Sequence, residues 1–208
     1  MTWLDDLTRT LIFAKRKREA MEEYLEIERR FFVGAGHGQP WRECLRKSEI
    51  SQFYLDVELF TNTEADLRYD GVSVGVLMNE IERQLFESTR SWTTRIRIDD
   101  DNAILTLKGL RVHSSATELE WPIPREIADR ILDVKNYPSI VKTRFYWQGT
   151  DGMVWEIDEF GGVHSSLILA EIELPNAQHE IALPEWLGEE ITGQHEWSNS
   201  TLSRQGFE

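Results

Sequence analysis

The sequence predicts an α+β fold, a meandering antiparallel sheet or closed β-barrel with helices interspersed. Two patterns carry that expectation. Strand-like segments near 92–99, 102–109, 114–123, 139–149, 152–160 and 166–174 follow one another through short turns. Those turns are too short for parallel crossovers, except where a helix intervenes at 124–136. In addition, seven stretches place paired ionic or polar residues two apart: Glu26-Ile-Glu28, Arg95-Ile-Arg97, Thr106-Leu-Lys108, Glu118-Leu-Glu120, Lys142-Thr-Arg144, Glu156-Ile-Asp158 and Glu171-Ile-Glu173. Residues two apart on a strand share a face, so each stretch aims its charges in one direction.

The elements read in order as follows. Residues 3–24 carry Leu4, Leu7, Leu11 and Ile12 at the spacing of an amphipathic helix. Its Lys15-Arg-Lys-Arg18 run reads as a solvated helix face, because Glu19, Glu22 and Glu23 follow at once. Leu25–Val33 alternates as a strand. Gly34 to Pro40 is a loop by composition and lacks the Gly-Lys-Ser/Thr of a phosphate cradle, so it reads as a flexible connector. Ile50–Phe60 is a strand candidate, 61–76 is polar and turn-rich and then strand-like, and Val76–Phe86 has helical spacing through Leu77, Ile81 and Leu85. Asp99 to Asn102 and Asp151-Gly152 are turn signals. Pro124 opens the helix that Ile127, Ile131 and Val134 stripe, and Asn136-Tyr-Pro138 closes it. A short terminal helix is expected around 184–190.

Bulk properties narrow the function. At 208 residues the chain suits one domain with an extension, 1–24 ahead of 25–204, and can bury a substantial core. The formal net charge of −14 argues against nonspecific binding of nucleic acid, which such a surface repels at long range. Cys44 is the one cysteine, which excludes an internal disulfide and a cysteine metal cluster and leaves a half-buried free thiol. No apolar run approaches the ~20 residues that span a bilayer, and nothing resembles a secretory signal, so no membrane is expected and a cytoplasmic location is the default.

For any one strand, the simple reading of a charged pair is a solvated face over an apolar one. The set reads differently. Four stretches are wholly acidic and two wholly basic. A like-charge pair ~4 Å apart costs about 4 kcal/mol at an effective dielectric of about 20. Repeating that arrangement makes sense if acidic strands stand among basic ones, with divalent metal and a multi-phosphate ligand relieving the remainder. The charged faces are therefore expected inside a barrel or tunnel, with the apolar faces outside against helices. Carboxylates without His or Cys suit a hard cation, Mg²⁺ or Mn²⁺. Rows of Arg and Lys suit phosphate oxygens.

These stretches resemble a known family. Glu26-Ile-Glu28-Arg-Arg30-Phe-Phe-Val33 is similar to the Glu-x-Glu-x-Lys opening of the CYTH domain, the triphosphate tunnel metalloenzymes. Gln52-Phe-Tyr54-Leu55, Arg95-Ile-Arg97, Leu105-Thr-Leu-Lys108-Gly109, Glu118-Leu-Glu120, Lys142-Thr-Arg144-Phe145, Trp155-Glu156-Ile-Asp158-Glu-Phe160, Glu171-Ile-Glu173 and Trp186-Leu-Gly188 follow in the family's order, ending at Asn199. The resemblance implies an eight-stranded antiparallel barrel with flanking helices whose tunnel binds triphosphate and divalent metal. It implies a triphosphate-containing small molecule as partner, and a monomer or homodimer. Bacterial members are typically inorganic triphosphatases, others act on thiamine triphosphate or RNA 5′ ends, and some are adenylyl cyclases.

Carried over, the resemblance implies Glu26, Glu28 and Lys142 as catalytic residues. Arg30, Tyr54, Arg95, Arg97, Lys108 and Arg144 would bind substrate, and Glu26, Glu28, Glu120, Glu171 and Glu173 would hold metal. Glu118, Glu156 and Asp158 would support the basic row, and the Tyr54 hydroxyl would orient the terminal phosphate or merely pack. His37, His113, His164, His179 and His195 match no ligand spacing, and Trp121 and Trp155 read as core. The chain departs from the pattern at Arg30, where Lys is usual, at Ala116, where Arg is common, in an insertion at about 56–91, and in the extension before Leu25. A metal-dependent triphosphatase, a cyclase of the same architecture, and a non-catalytic nucleotide or polyphosphate sensor all remain compatible with the residues.

Overall fold

A computed structural model describes residues 21–34 and 38–205. The expected N-terminal helix and the middle of the Gly34–Pro40 connector lie outside the described residues, apart from a helical turn at 21–22.

The strands, in chain order, are β1 (Leu25–Val33), β2 (Arg46–Leu55), β3 (Phe60–Asn62), β4 (Leu67–Tyr69), β5 (Val72–Ser73), β6 (Thr93–Asp99), β7 (Asn102–Lys108), β8 (Ser115–Ile123), β9 (Ser139–Gln148), β10 (Val154–Phe160), β11 (Ile168–Glu173) and β12 (Leu187–Glu190). The helices are α1 (Glu80–Ser88), α2 (Arg125–Leu132) and α3 (Asn199–Leu202). Eight strands pair antiparallel in the order β11-β10-β9-β2-β6-β7-β8-β1, and β1 pairs back onto β11 to close the barrel. Closure removes the exposed edges that would otherwise recruit other chains.

The seam at β1 explains one departure from expectation. β8 covers only Leu25–Ile27 of β1, so the backbone beyond needs another partner. The 184–190 segment, expected as a helix, supplies it as β12, with Phe31 opposite Glu190 and Val33 opposite Leu187. An unpaired edge outweighs the weak local preference of a short segment. Gly188 permits the contact, since a Cβ there would meet the Phe32 carbonyl oxygen at 3.2 Å.

Register puts the ionic stretches on one face. Glu28 lies opposite Glu173, Arg30 and Glu156 opposite Glu171, Asp158 opposite Arg144, Gln52 opposite Arg97, and Lys108 opposite Glu118. The alternate residues form the outer wall and pack under covering segments. Leu55, Ile96, Leu105, Leu107 and Leu119 join Leu67, Val74, Met78 and Leu85 of the 56–91 segment and Ile131 of α2 in one cluster. That segment is thus a packed cover, with β3–β5 as a small second sheet and α1 opened by an Asn79–Glu82 capping box. On the opposite wall, Phe31, Phe145, Trp155, Ile157 and Ile172 pack against Trp41 and Trp186. Trp155 is fully buried, and Trp121 packs beside the first cluster with Nε1 donating to Glu82 Oε1 at 2.9 Å.

The charged face is not charged throughout. Ile140, Phe160 and Leu169 belong to the same alternation as Lys142, Asp158 and Glu171, and they gather with Ile191 and Leu202 in a third apolar cluster. Part of one barrel end is therefore plugged by aliphatic and aromatic side chains, which the uniform charge pattern of the dyads does not anticipate.

Candidate functional site

Two cavities run through the barrel. One, of about 460 Å³, is bounded by Glu26, Arg97, Glu118, Glu120, Arg144, Glu156, Glu171 and Glu173. The other, of about 380 Å³, is bounded by Tyr54, Trp92, Arg111 and the segment 191–200. Glu28, Arg30, Arg95, Lys108 and Asn199 line both, and mark where the cavities meet.

The wall is a lattice of ion pairs. Lys108 Nζ contacts Glu26, and lies 3.5 Å from Glu28 and 3.4 Å from Glu118. Arg30 contacts Glu171, lies 3.7 Å from Glu28, and donates from Nη1 to the Trp197 carbonyl at 3.0 Å, which ties the C-terminal segment across the tunnel. Arg144 holds Asp158 by two hydrogen bonds, at 2.7 and 2.6 Å, and also contacts Glu156 and Glu171. Arg95 and Arg97 sit more loosely, 3.6 Å from Glu118 and 3.4 Å from Glu120.

Burial and charge set the ionisation of this lattice. Burial pushes Glu28 up, with Lys108 opposing and Glu171 and Glu26 adding to it. Burial acts upward on Glu171 too, but Arg30 and Arg144 outweigh it and hold that carboxyl well below the usual range. Glu173 behaves differently: partial burial, with Glu156, Glu26, Glu118 and Glu28 around it, pushes it up to about 7. Among the described residues no lysine or arginine forms an ion pair with Glu173.

The sequence-predicted residues do not all reach the cavities. Arg30, Tyr54, Arg95, Arg97, Lys108, Arg144 and all five predicted metal carboxylates line them. Lys142, expected with the catalytic residues, does not. Its ammonium is wholly buried beyond the open cavity, paired with the equally buried Asp158 and 5.7 Å from the Phe160 ring centroid. Burial, with Arg144 nearby, lowers its pKa to about 8. The reason is register: Lys142 pairs with Phe160 and Ile50, at the start of the apolar plug, one step beyond the open tunnel. Tyr54 is buried, donates to Gln52 Oε1 at 3.2 Å, and is pushed up to about 12 by burial. Glu120 accepts from Thr106 Oγ1 at 2.8 Å. Cys44 is partly buried and free.

Two residues to which the sequence assigned no role come forward. Arg111, in the β7–β8 turn, reaches Glu26 and Glu28 at 2.7 Å each. Turn residues have no face periodicity, and the only hint was Ala116, which offers no charge beside Glu26. Asn199 at the start of α3 is buried at the junction of both cavities, and its Oδ1 has no hydrogen-bond donor.

Two observations bear on ligands. Buried Nε atoms of Arg30, Arg95 and Arg97 have no hydrogen-bond acceptor. Orphaned buried donors cost about 1–3 kcal/mol each, and the three guanidinium groups line cavities where an anion would offer them acceptors. For a cation, the donor set is carboxylate oxygen, and Glu173 stands uncompensated among four other carboxylates, which fits a hard divalent ion. Yet among the described residues no three acidic or histidine side chains stand close enough to cage one. The carboxylates are drawn instead to Lys108, Arg111, Arg30 and Arg144.

Comparison with known proteins agrees with this architecture. The family model for the CYTH domain matches residues 80–203. An inorganic triphosphatase of Acetivibrio thermocellus is 35% identical over 140 residues, covering 67% of this chain and 87% of that one. The chain belongs to the CYTH domain family. An inorganic triphosphatase of Nitrosomonas europaea is 35% identical over 66 residues, 31% of this chain and 44% of that protein. A solved structure of the hypothetical protein NE1496 superposes with a TM-score of 0.50 at 26% identity, covering 86% of this chain and 97% of that one. The CYTH match starts at residue 80, so β1 and β2, with Glu26, Glu28, Arg30 and Tyr54, precede it and join the domain through barrel closure. CYTH membership implies a divalent metal. Among the described residues no helix is long and apolar enough to cross a membrane.

Proposed function

We propose that this chain is a metal-dependent triphosphatase, with inorganic triphosphate as the preferred substrate and Mg²⁺ or Mn²⁺ as the metal, acting in the cytoplasm. The observation that carries the reading is the set of orphaned arginine donors. Arg30, Arg95 and Arg97 line cavities that meet, and each keeps a buried Nε–H without an acceptor. A linear triphosphate offers a row of acceptors, and guanidinium groups bind such oxygens by paired contacts. The inorganic triphosphatase activity named for the 35%-identical Acetivibrio relative points the same way.

In this reading Arg30, Arg95, Lys108 and Arg144 align the phosphates, and Arg97, which lines only the 460 Å³ chamber, guides the triphosphate in from that side. Phosphoryl transfer depends mainly on such positioning and charge stabilisation. Glu26, Glu28, Glu171 and Glu173 would hold the metal, with Glu120 nearer the mouth. A bound divalent ion supplies charge neutralisation on the phosphate oxygens and a more acidic water. Lys142 acts one layer back: it fixes Asp158, which fixes Arg144. The enclosing wall and the 191–200 segment limit access of bulk water.

Phosphate release from tripolyphosphate, ATP, thiamine triphosphate and triphosphorylated RNA, with Mg²⁺, with Mn²⁺ and with EDTA, tests the proposal. Release fastest from tripolyphosphate and abolished by EDTA is expected. Cyclic AMP and pyrophosphate as the main products from ATP, or metal-independent turnover, would reject it.

A further inference from the structure

The β7–β8 turn sends one side chain back into the tunnel. Arg111 Nη2 lies 2.7 Å from Glu26 Oε2 and 2.7 Å from Glu28 Oε1, so a single nitrogen bridges the two carboxylates. Its Nη1 donates to the Ser114 carbonyl at 2.6 Å, which anchors the guanidinium to its own turn. The following strand offers no substitute, for Ala116 is buried and pairs with Glu26 across the β1–β8 ladder. The turn is lightly packed: Leu110 and Val112, on either side of Arg111, are both exposed. Segments with few buried contacts rearrange at low cost.

We propose that Arg111 is an exchangeable counter-ion, holding Glu26 and Glu28 in the free protein, then yielding them to a divalent cation as its guanidinium turns onto a phosphate oxygen in the adjoining chamber. The proposal rests on the triphosphatase reading above. Glu26 Oε2 already meets both Lys108 and Arg111, and a divalent ion drawn to the same carboxylates repels the adjacent guanidinium at contact distance, which favours its displacement. Arg111 already lines the 380 Å³ chamber, so a new anionic partner lies within reach of a side-chain rotation. Its planar fork suits phosphate. Cation and substrate each favour the turned-out arrangement, so by linkage each strengthens binding of the other.

The test measures binding, not turnover. Mn²⁺ alone is titrated into the wild type, Arg111→Gln and Arg111→Lys, followed by electron paramagnetic resonance of free Mn²⁺. Tripolyphosphate is titrated separately in EDTA by calorimetry. Arg111→Gln is expected to bind Mn²⁺ about tenfold more tightly and tripolyphosphate about tenfold more weakly, with Arg111→Lys between the two. Ala116→Arg should restore tripolyphosphate affinity to Arg111→Gln, by returning a guanidinium beside Glu26. Unchanged or weaker Mn²⁺ binding in Arg111→Gln overturns the exchange. A wild type that binds neither probe overturns both this proposal and the triphosphatase reading. A wild type that binds both without hydrolysis, with the expected variant shifts, sinks the hydrolase reading alone and supports the exchange.

Discussion

Asp158 meets Arg144 face to face, with Arg144 Nε 2.7 Å from one carboxylate oxygen and Nη2 2.6 Å from the other. Lys142 contacts the same carboxylate from a fully buried position. One acid therefore holds two basic groups, one lining the open cavity and one buried further along at the apolar plug. Asp158→Asn is expected to destabilise the fold by about 3 kcal/mol or more, because it leaves buried cations without their counter-charge. Urea unfolding measures this, and Lys142→Met in the same background should recover part of the loss. A full-strength fold in Asp158→Asn alone would mean that water already screens the pair.

Glu28→Ala should abolish metal-dependent phosphate release, with kcat down by about 100-fold or more. The thermal midpoint should stay within a few degrees, since Lys108 keeps Glu26 and Glu118, and Arg111 keeps Glu26. Wild-type turnover in that variant would remove Glu28 from the metal set.

Arg97 is held loosely, 3.4 Å from Glu120, with an unpaired buried Nε. Arg97→Ala should raise KM for tripolyphosphate by about tenfold while leaving the metal concentration for half-activity unchanged, which is the signature of lost uniform binding. An unchanged KM would place Arg97 outside the substrate's path.

Leu67 is fully buried, where the 56–91 segment meets the outer wall. Leu67→Ala is expected to cost about 2–5 kcal/mol through the cavity it leaves. If that segment were mere decoration, the urea midpoint would barely move.

Glu159 gives the acid-side prediction. Burial pushes its carboxyl up, but hydrogen bonds from Arg42 and Trp41 outweigh this and hold it below the ordinary value. A depressed folded-state pKa adds stability that is present above the unfolded value, and is lost as pH falls through the folded one. Wild type should therefore exceed Glu159→Gln in urea midpoint at pH 7, with the gap closing towards about pH 3. A gap that persists at low pH would assign the effect to packing of Trp41.

Much of the barrel was legible from period two alone. Charged residues alternating with Ile and Leu name the two faces, and like charges on neighbouring strands are stable only where opposite charges face them, hence the inference of an enclosed interior. The arginines and glutamates that line the cavities were therefore identifiable from alternation. The same rule overreached at Lys142, because alternation says which face a side chain takes and not how far along the tunnel the open space extends. It also missed Arg111, whose turn has no period to read.

Sequence by itself determined most of the barrel strands, their inward and outward residues, and the charge types gathered inside, because these follow from local alternation and composition. Tertiary structure alone decided three further things. It turned 187–190 into the strand that completes the β1 seam, buried Lys142 beside an apolar plug, and brought Arg111 to Glu26 and Glu28. Each depends on which surfaces meet when the sheet closes, and closure is set by contacts between residues far apart in the chain, 85 positions for Arg111–Glu26 and 161 for Arg29–Glu190.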